Sequence, residues 1–366
     1  MTNRLYFGYG SNLNQDDLRR RCEEDNIPMG TLTPRGVAYL PDRELAFTRR
    51  SMSRKGGVLD VRPRLGQAVA GVVFEADKTA WDMLDIKEGP AYERFDTVAL
   101  DEDGAEIPVT TYGVQEALRE DFVPPTPEYV EIVRAGLESH GLPTDALEAA
   151  AAGRRTPPLP GGLFVYGTLM RGESRFDVLK PFGLECVLLA QAPGRLLDLN
   201  SYPGMVNSSG GEDLVHGEFV RPSDMGGAVA KLDEIERFNG FGVPGSLFRR
   251  TMITVDVGDG RIRTAWTYLY AGDGSTADEV RSGDWRQHHG RRERFLRDLV
   301  FGHVGFDQNR VAAEIAGTIP FSMADNRAEV VSSLLPLEDA VERGDLSERR
   351  LAQHSGQWAV TTEVNR

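Results

Sequence analysis

Residues 5–9 of this chain, Leu-Tyr-Phe-Gly-Tyr, are apolar and aromatic without a helical period, and Gly10, Ser11 and Asn12 follow at once. The pattern predicts a short buried strand that ends in a sharp turn. Further along, ADKTAWDMLDIKEG (residues 76–89) places Trp81, Leu84 and Glu88 at i, i+3 and i+7. That spacing predicts a helix beginning near Asp77 and stopped by Gly89, with a carboxylate on its apolar face. Both signals recur. LFVYGTLM (163–170) repeats the strand and its Tyr-Gly-Ser/Thr turn, and Val229, Leu232 and Glu236 repeat the helical stripe on a segment starting at Ser223 or Asp224. Shared order and comparable spacing indicate a duplicated domain.

Between the copies, AAGRRTPPLPGG (151–162) is rich in Pro and Gly, which suppress helix and sheet alike. The expected organisation is a first domain over 1–150, a linker over 151–162, a second domain over 163–289 and an extension over 290–366. The first domain closes with a helix near 127–140 and an Ala-rich turn or helix near 145–152; the compact part of the second domain ends close to Trp285. In the extension, FLRDLVFG (295–302), VAAEIAG (311–317) and the run 324–344 read as helical. It carries no catalytic signature and reads as a brace, or as a surface for self-association. Adjacent His288 and His289 point to different sides of a helix, so they do not suggest a shared metal.

Each turn and each carboxylate has a chemical meaning. Glycine-rich turns tolerate unusual dihedrals and direct several backbone N–H groups into one concavity, which suits a carboxylate or a developing oxyanion. A carboxylate on an apolar face is penalised when ionised, and burial raises its pKa from about 4.3 toward the roughly 6 to 7 useful to a general base. The alternative for each feature alone is an ordinary strand-to-loop turn and a helix-end Glu bound to backbone. Two copies of the pair favour the functional reading.

In this light the chain resembles the γ-glutamylcyclotransferase family. YFGYGSNL (6–13), KGGVLDV (55–61), VAGVVFE (69–75), LDIKEGPAYERF (84–95) and PPTPEYVEIVRAGLESHGLP (124–143) carry the likeness in the first half. FVYGTLMRGE (164–173), SYPGM (201–205), VHGEFV (215–220), LDEIERF (232–238) and SGDW (282–285) are similar to the γ-glutamylamine cyclotransferase and AIG2-like branch. The resemblance implies an α+β fold: two tandem mixed β-barrels with flanking helices, turn and glutamate meeting at one pocket. It implies no metal or organic cofactor, and an activity in which the α-amine of a γ-glutamyl group attacks its own γ-carbonyl, giving 5-oxoproline and a free amine. Glu88 and Glu236 are then the expected bases. Tyr9, Gly10, Ser11, Asn12, Leu13 and Tyr92 are the expected substrate-binding residues of the first copy; Tyr166, Gly167, Thr168 and Leu169 are those of the second. The position comparable to Tyr92 is Phe248. The second site thus lacks a hydroxyl. Alternatives are removal of a γ-glutamyl protecting group from a biosynthetic intermediate, or a binding protein with one or both pockets degenerate.

Composition narrows the partners. The 366 residues are 40% hydrophobic, enough for two cores, and a net charge of −14 disfavours nucleic acid and anionic membranes. Cys22 and Cys186 match neither a disulfide framework nor a zinc site. No long apolar run or basic-then-apolar leader is visible, so a cytoplasmic location is expected, while the resemblance implies a small-molecule γ-glutamyl substrate. Against the acidic background, Arg49, Arg50, Arg54 and Lys55 flank Ser51–Ser53. This basic loop is either a solvated surface or a receiver for a carboxylate or phosphate on the leaving group.

Overall fold

In the computed structural model, Leu5–Gly8 forms β1, whose last three residues are fully buried. The structure describes residues 4–208, 213–258 and 262–291, together with the backbone of 351–354 and 357–360. β2 (Leu32–Ser51) and β3 (Gly56–Ala76) pair antiparallel along almost their whole length, from Leu32 opposite Ala76 to Ser51 opposite Gly56. β4 (Tyr92–Leu100) and β5 (Glu106–Val114) form a second antiparallel pair. The order β1-β3-β2-β4-β5 closes as a barrel through a parallel contact of β1 with β5. Only the lower half of the β2–β3 ribbon is needed for closure, since β1 engages β3 at Val72–Glu75. The upper half, which includes Leu59 and Asp60, continues beyond it.

Four helices surround this barrel. α1 (Gln15–Glu24) is capped by Asn14, whose side chain accepts from the Asp17 amide, with Asp16 and Asp17 in its first turn. α2 (Lys78–Glu88) starts as its sequence predicts: Asp77 accepts from the Ala80 amide, and Gly89 ends the helix at a φ of 64°, a conformation that a side chain disfavours. α3 (Pro127–Ser139) has Thr126 as N-cap and proline at its first position, and α4 (Asp145–Ala151) follows. Phe7, Phe47, Phe74, Met83 and Leu84 are among the fully buried side chains of this core.

The second copy repeats the plan. β6 (Gly162–Val165), β7 (Leu184–Pro193), β10 (Leu214–Pro222), β11 (Phe248–Asp256) and β12 (Ile262–Tyr270) close a barrel in the order β10-β6-β12-β11-β7. The long ribbon of the first copy is broken here. β8 (Arg195–Asp198), β9 (Pro203–Val206) and β13 (Asp278–Glu279) form a separate three-stranded sheet, and α6 (Trp285–His288) follows. Corresponding hydrogen bonds mark the repeat: Thr111 donates to the Phe7 carbonyl at 2.8 Å, and Thr267 to the Phe164 carbonyl at 3.1 Å.

By packing, the chain forms two units, Met1–Pro160 with Met225–Ser246, and Gly161–Asp224 with Leu247–Arg366. α5 (Met225–Ile235) therefore groups with the first barrel, where Met225 and Val229 lie over Gly66 of β3 and the Gly242 amide donates to Glu106 at 2.8 Å. The helical runs expected at 295–302, 311–317 and 324–344 lie outside the described residues. Within the extension, β14 (Leu351–His354) and β15 (Gln357–Val360) are an antiparallel pair, in a stretch beyond the runs expected to be helical.

Candidate functional site

Gly10 leads from β1 into a single helical turn, Ser11–Leu13. The turn brings Tyr9, Gly10, Ser11 and Asn12 against Glu88 at the end of α2 and Tyr92 at the start of β4, where Tyr6, Leu59, Tyr112 and Tyr129 complete a narrow pocket of ≈ 30 Å³. Six residues expected from sequence thus meet in one place. Leu13 does not join them. It is buried at 1% exposure, with its side chain packed near Gly8 and Gly136, because the helical turn rotates it into the core.

Asn12 organises the centre. Its amide nitrogen donates to the Tyr6 hydroxyl and to Glu88 Oε1, both at 2.8 Å. A carboxylate only accepts, so this bond fixes which end of the amide faces Glu88. The other end, Oδ1, is buried and has no hydrogen-bond partner among the described residues. A buried acceptor left this way is costly. Glu88 is 15% exposed, and the ammonium of Lys87 lies 3.7 Å from its Oε1.

A ring of tyrosines walls the site. Tyr9 donates to the Tyr112 carbonyl at 2.8 Å, Tyr92 donates to the Leu59 carbonyl at 2.6 Å, and the Leu59 amide donates to Tyr129 at 3.5 Å. Ser11 lies beside Tyr129 in the same lining. Burial pushes Tyr6, Tyr9 and Tyr92 well above the ordinary phenol range, with the Glu88 charge adding to the rise at all three. Burial also raises Tyr129 and Tyr112. These side chains are neutral hydroxyls at physiological pH, donors rather than bases. Outside the ring, Arg94 bonds both Asp85 and the Tyr112 hydroxyl and lies over Trp81, which fixes α2 against β4 and β5. Asp60, fully buried, accepts from Thr48, Arg119 and the Val114 amide beside Leu59.

The narrow pocket adjoins a wider one of ≈ 190 Å³ through Ser11, Glu88, Tyr92 and Tyr129. Arg49, Arg50 and Arg54 of the basic loop line the wider pocket, with Arg21 and Lys87; Lys55 of the same loop is exposed and not part of the lining. Sequence reasoning missed Tyr6, Leu59, Tyr112, Tyr129, Arg21 and Lys87. A tyrosine within a buried strand needs a partner for its hydroxyl, a signal that could have found Tyr6. Leu59 acts through its backbone and leaves none.

In the second barrel the Tyr166 hydroxyl donates to the Tyr268 carbonyl at 2.5 Å and accepts from the Met205 amide at 3.3 Å. Strand register confirms the pairing of copies: Tyr92 lies opposite Val114, two residues past Tyr112, and Phe248 lies opposite Tyr270, two past Tyr268. The turn at Gly167 is closely covered, since a Cβ there would come within 2.4 Å of Pro203. At Gly10 the nearest atom, on Leu59, is 3.7 Å away. Leu169, like Leu13, is buried, whereas Thr168 is partly exposed. Glu236 is half-buried, and its amide bonds the Leu232 carbonyl at 2.8 Å in the turn that ends α5.

Compared with known proteins, residues 6–130 and 163–287 each match the sequence model of one family, described as gamma-glutamyl cyclotransferase, AIG2-like. The gamma-L-glutamyl-butirosin B gamma-glutamyl cyclotransferase of Niallia circulans is 35% identical over 142 residues, 36% of this chain and 83% of that protein. The gamma-glutamylcyclotransferase of Bos taurus is 30% identical over 148 residues, 38% of this chain and 73% of the other. A solved structure named gamma-glutamyl cyclotransferase is 28% identical with a TM-score of 0.35, covering 41% of this chain and 86% of its own.

Proposed function

Because this chain belongs to the gamma-glutamyl cyclotransferase, AIG2-like family, we propose that its first barrel releases 5-oxoproline from γ-glutamyl compounds, with Glu88 as the base. The observation that carries the reading is the pairing of Glu88 with Asn12, whose buried Oδ1 has no partner of its own. The α-amine of a γ-glutamyl group supplies the missing donor. At neutral pH that amine is mostly an ammonium, with a pKa near roughly 8, so it needs a base before it attacks.

The steps balance within one substrate. The α-ammonium donates to Asn12 Oδ1 and gives a proton to Glu88; the freed amine attacks the γ-carbonyl carbon and closes a five-membered ring. The C–N bond to the leaving amine then breaks; Glu88 returns its proton to the leaving nitrogen and relays to it the second proton shed by the ring nitrogen, so the amine departs as an ammonium and the ring nitrogen keeps one hydrogen. Backbone N–H groups of the Gly10–Asn12 turn and the Tyr129 hydroxyl, whose oxygen accepts from the Leu59 amide, are within reach to hold the glutamyl carboxylate or the developing oxyanion. An intramolecular nucleophile leaves the pocket mainly the task of folding the substrate for ring closure.

The test is incubation of the full chain with a panel of γ-glutamyl amino acids, peptides and amines, with chromatographic measurement of 5-oxoproline. Release from at least one panel member is expected. None across the panel overturns the reading.

A further inference from the structure

We propose that the wider pocket selects substrates whose leaving amine carries a dianionic group, either two carboxylates or a phosphate ester. The inference rests on the cyclotransferase reading and concerns what leaves rather than how. Glu88 stands at the junction of the two pockets, and it must face the nitrogen of the bond that breaks. With the glutamyl half in the narrow pocket, the substituents of the leaving amine enter the wider one.

Five cations line that space, but most are committed. Arg54 pairs bidentately with Asp17 at 2.5 and 3.2 Å. Arg21 reaches Glu24 at 3.6 Å and Asp25 at 3.3 Å, and Lys87 faces Glu88. Arg49 and Arg50 differ. The Arg49 guanidinium donates only to the Leu118 carbonyl, at 3.4 Å, and neither arginine forms an ion pair with a carboxylate among the described residues. Glu120 bonds the Arg50 backbone amide at 3.1 Å, not its guanidinium. In a protein of net charge −14, two guanidiniums without counter-charges beside the reacting bond are a local excess of two positive charges. Planar guanidinium forks match carboxylate and phosphate oxygens, and the Ser51 and Ser53 hydroxyls add neutral donors in the same lining. A cationic leaving amine would meet repulsion there.

The experiment compares kcat/KM of the full chain for γ-glutamyl-glutamate, γ-glutamyl-O-phosphoethanolamine, γ-glutamyl-alaninamide and a γ-glutamyl diamine. At least one dianionic substrate should exceed the neutral one by about tenfold, the worth of one charge-assisted hydrogen bond. The advantage should shrink in about 0.5 M salt, where exposed charges are screened. The carboxylate and phosphate arms show which source the pocket takes. In an R49Q/R50Q variant whose circular dichroism and Tm match the parent, the ratio of dianionic to neutral kcat/KM should collapse toward unity. Equal rates for all acceptors, a preference for the diamine, or a ratio that survives the double substitution overturns the inference while leaving 5-oxoproline release intact. Failure of every substrate to give 5-oxoproline removes the cyclotransferase reading itself and this inference with it.

Discussion

The two copies keep the same scaffold bonds and differ at the positions that, in the first, stand beside Glu88. Tyr9 and Tyr166 each donate to a carbonyl of the strand that closes the barrel, at Tyr112 and Tyr268. Counted from those tyrosines and glutamates, Tyr6, Asn12, Lys87 and Tyr92 of the first copy become Leu163, Leu169, Ile235 and Phe248 in the second. Four polar residues near Glu88 thus correspond in sequence to four apolar residues of the second copy. The second turn is moreover covered by Pro203, whereas the first is open at Gly10. Hydrogen bonds that build the barrel persist through duplication because their loss leaves buried backbone unpaired. Side chains bonded to one another rather than to the barrel backbone, as Asn12 is to Tyr6 and Glu88, carry no such penalty and can be exchanged for apolar packing.

Exchanging the glutamates tests the comparison most severely. Glu88→Gln should lower the kcat for 5-oxoproline release by about 100-fold or more, the size of a lost general base, while Glu236→Gln in the full chain should leave most turnover. If Glu236→Gln causes the larger loss, the active copy has been misassigned. Point variants serve better than a truncation in the 151–162 linker, which would remove the α5 segment that packs on β3.

Asn12→Leu, which imports the residue of the second copy, removes the donor to Glu88 and the unpaired acceptor together. A loss of about 10- to 100-fold in kcat/KM is expected from a hydrogen bond to a charged group. Parental activity in this variant would detach Asn12 from the chemistry.

Gly167→Ala should destabilise the second barrel by about 1 to 3 kcal/mol through overpacking against Pro203. Gly10→Ala, with only ordinary contact at 3.7 Å, should cost far less. Hydrogen exchange read separately over β1 and β6 would measure both. Equal protection changes would mean that the two turns are equally covered.

The smallest effect concerns alkaline pH. Folding raises the pKa of Tyr6, Tyr9 and Tyr92, chiefly through burial. The stability they contribute is therefore complete below the ordinary phenol value of about 10 and is lost as pH climbs from there toward their raised values. Tyr92→Phe removes one such group and should flatten the decline in unfolding free energy above about pH 10. A decline as steep as the parent's would show that Tyr92 does not titrate with folding.

The duplication, both turns and the glutamate helix were legible because each is a local pattern: Asp77 as cap, Gly89 as stop and one apolar stripe between them. Tyr129 was not, since it reaches the pocket from α3, more than a hundred residues beyond the turn it joins. Its approach depends on helix packing that no short pattern encodes. The grouping of α5 with the first barrel is likewise a tertiary choice: its stripe of Val229 and Leu232 demands an apolar partner but does not say which barrel provides it.

β3 is one continuous strand that closes the barrel at Val72–Glu75 and, a dozen residues earlier, presents Leu59 to the tyrosine hydroxyls. The candidate site's alignment and the barrel's integrity therefore share one piece of backbone. Turnover should be a thermometer of that barrel: on heating, the rate should collapse at the temperature where β1 and β3 part, without an earlier phase in which the enzyme is idle but folded.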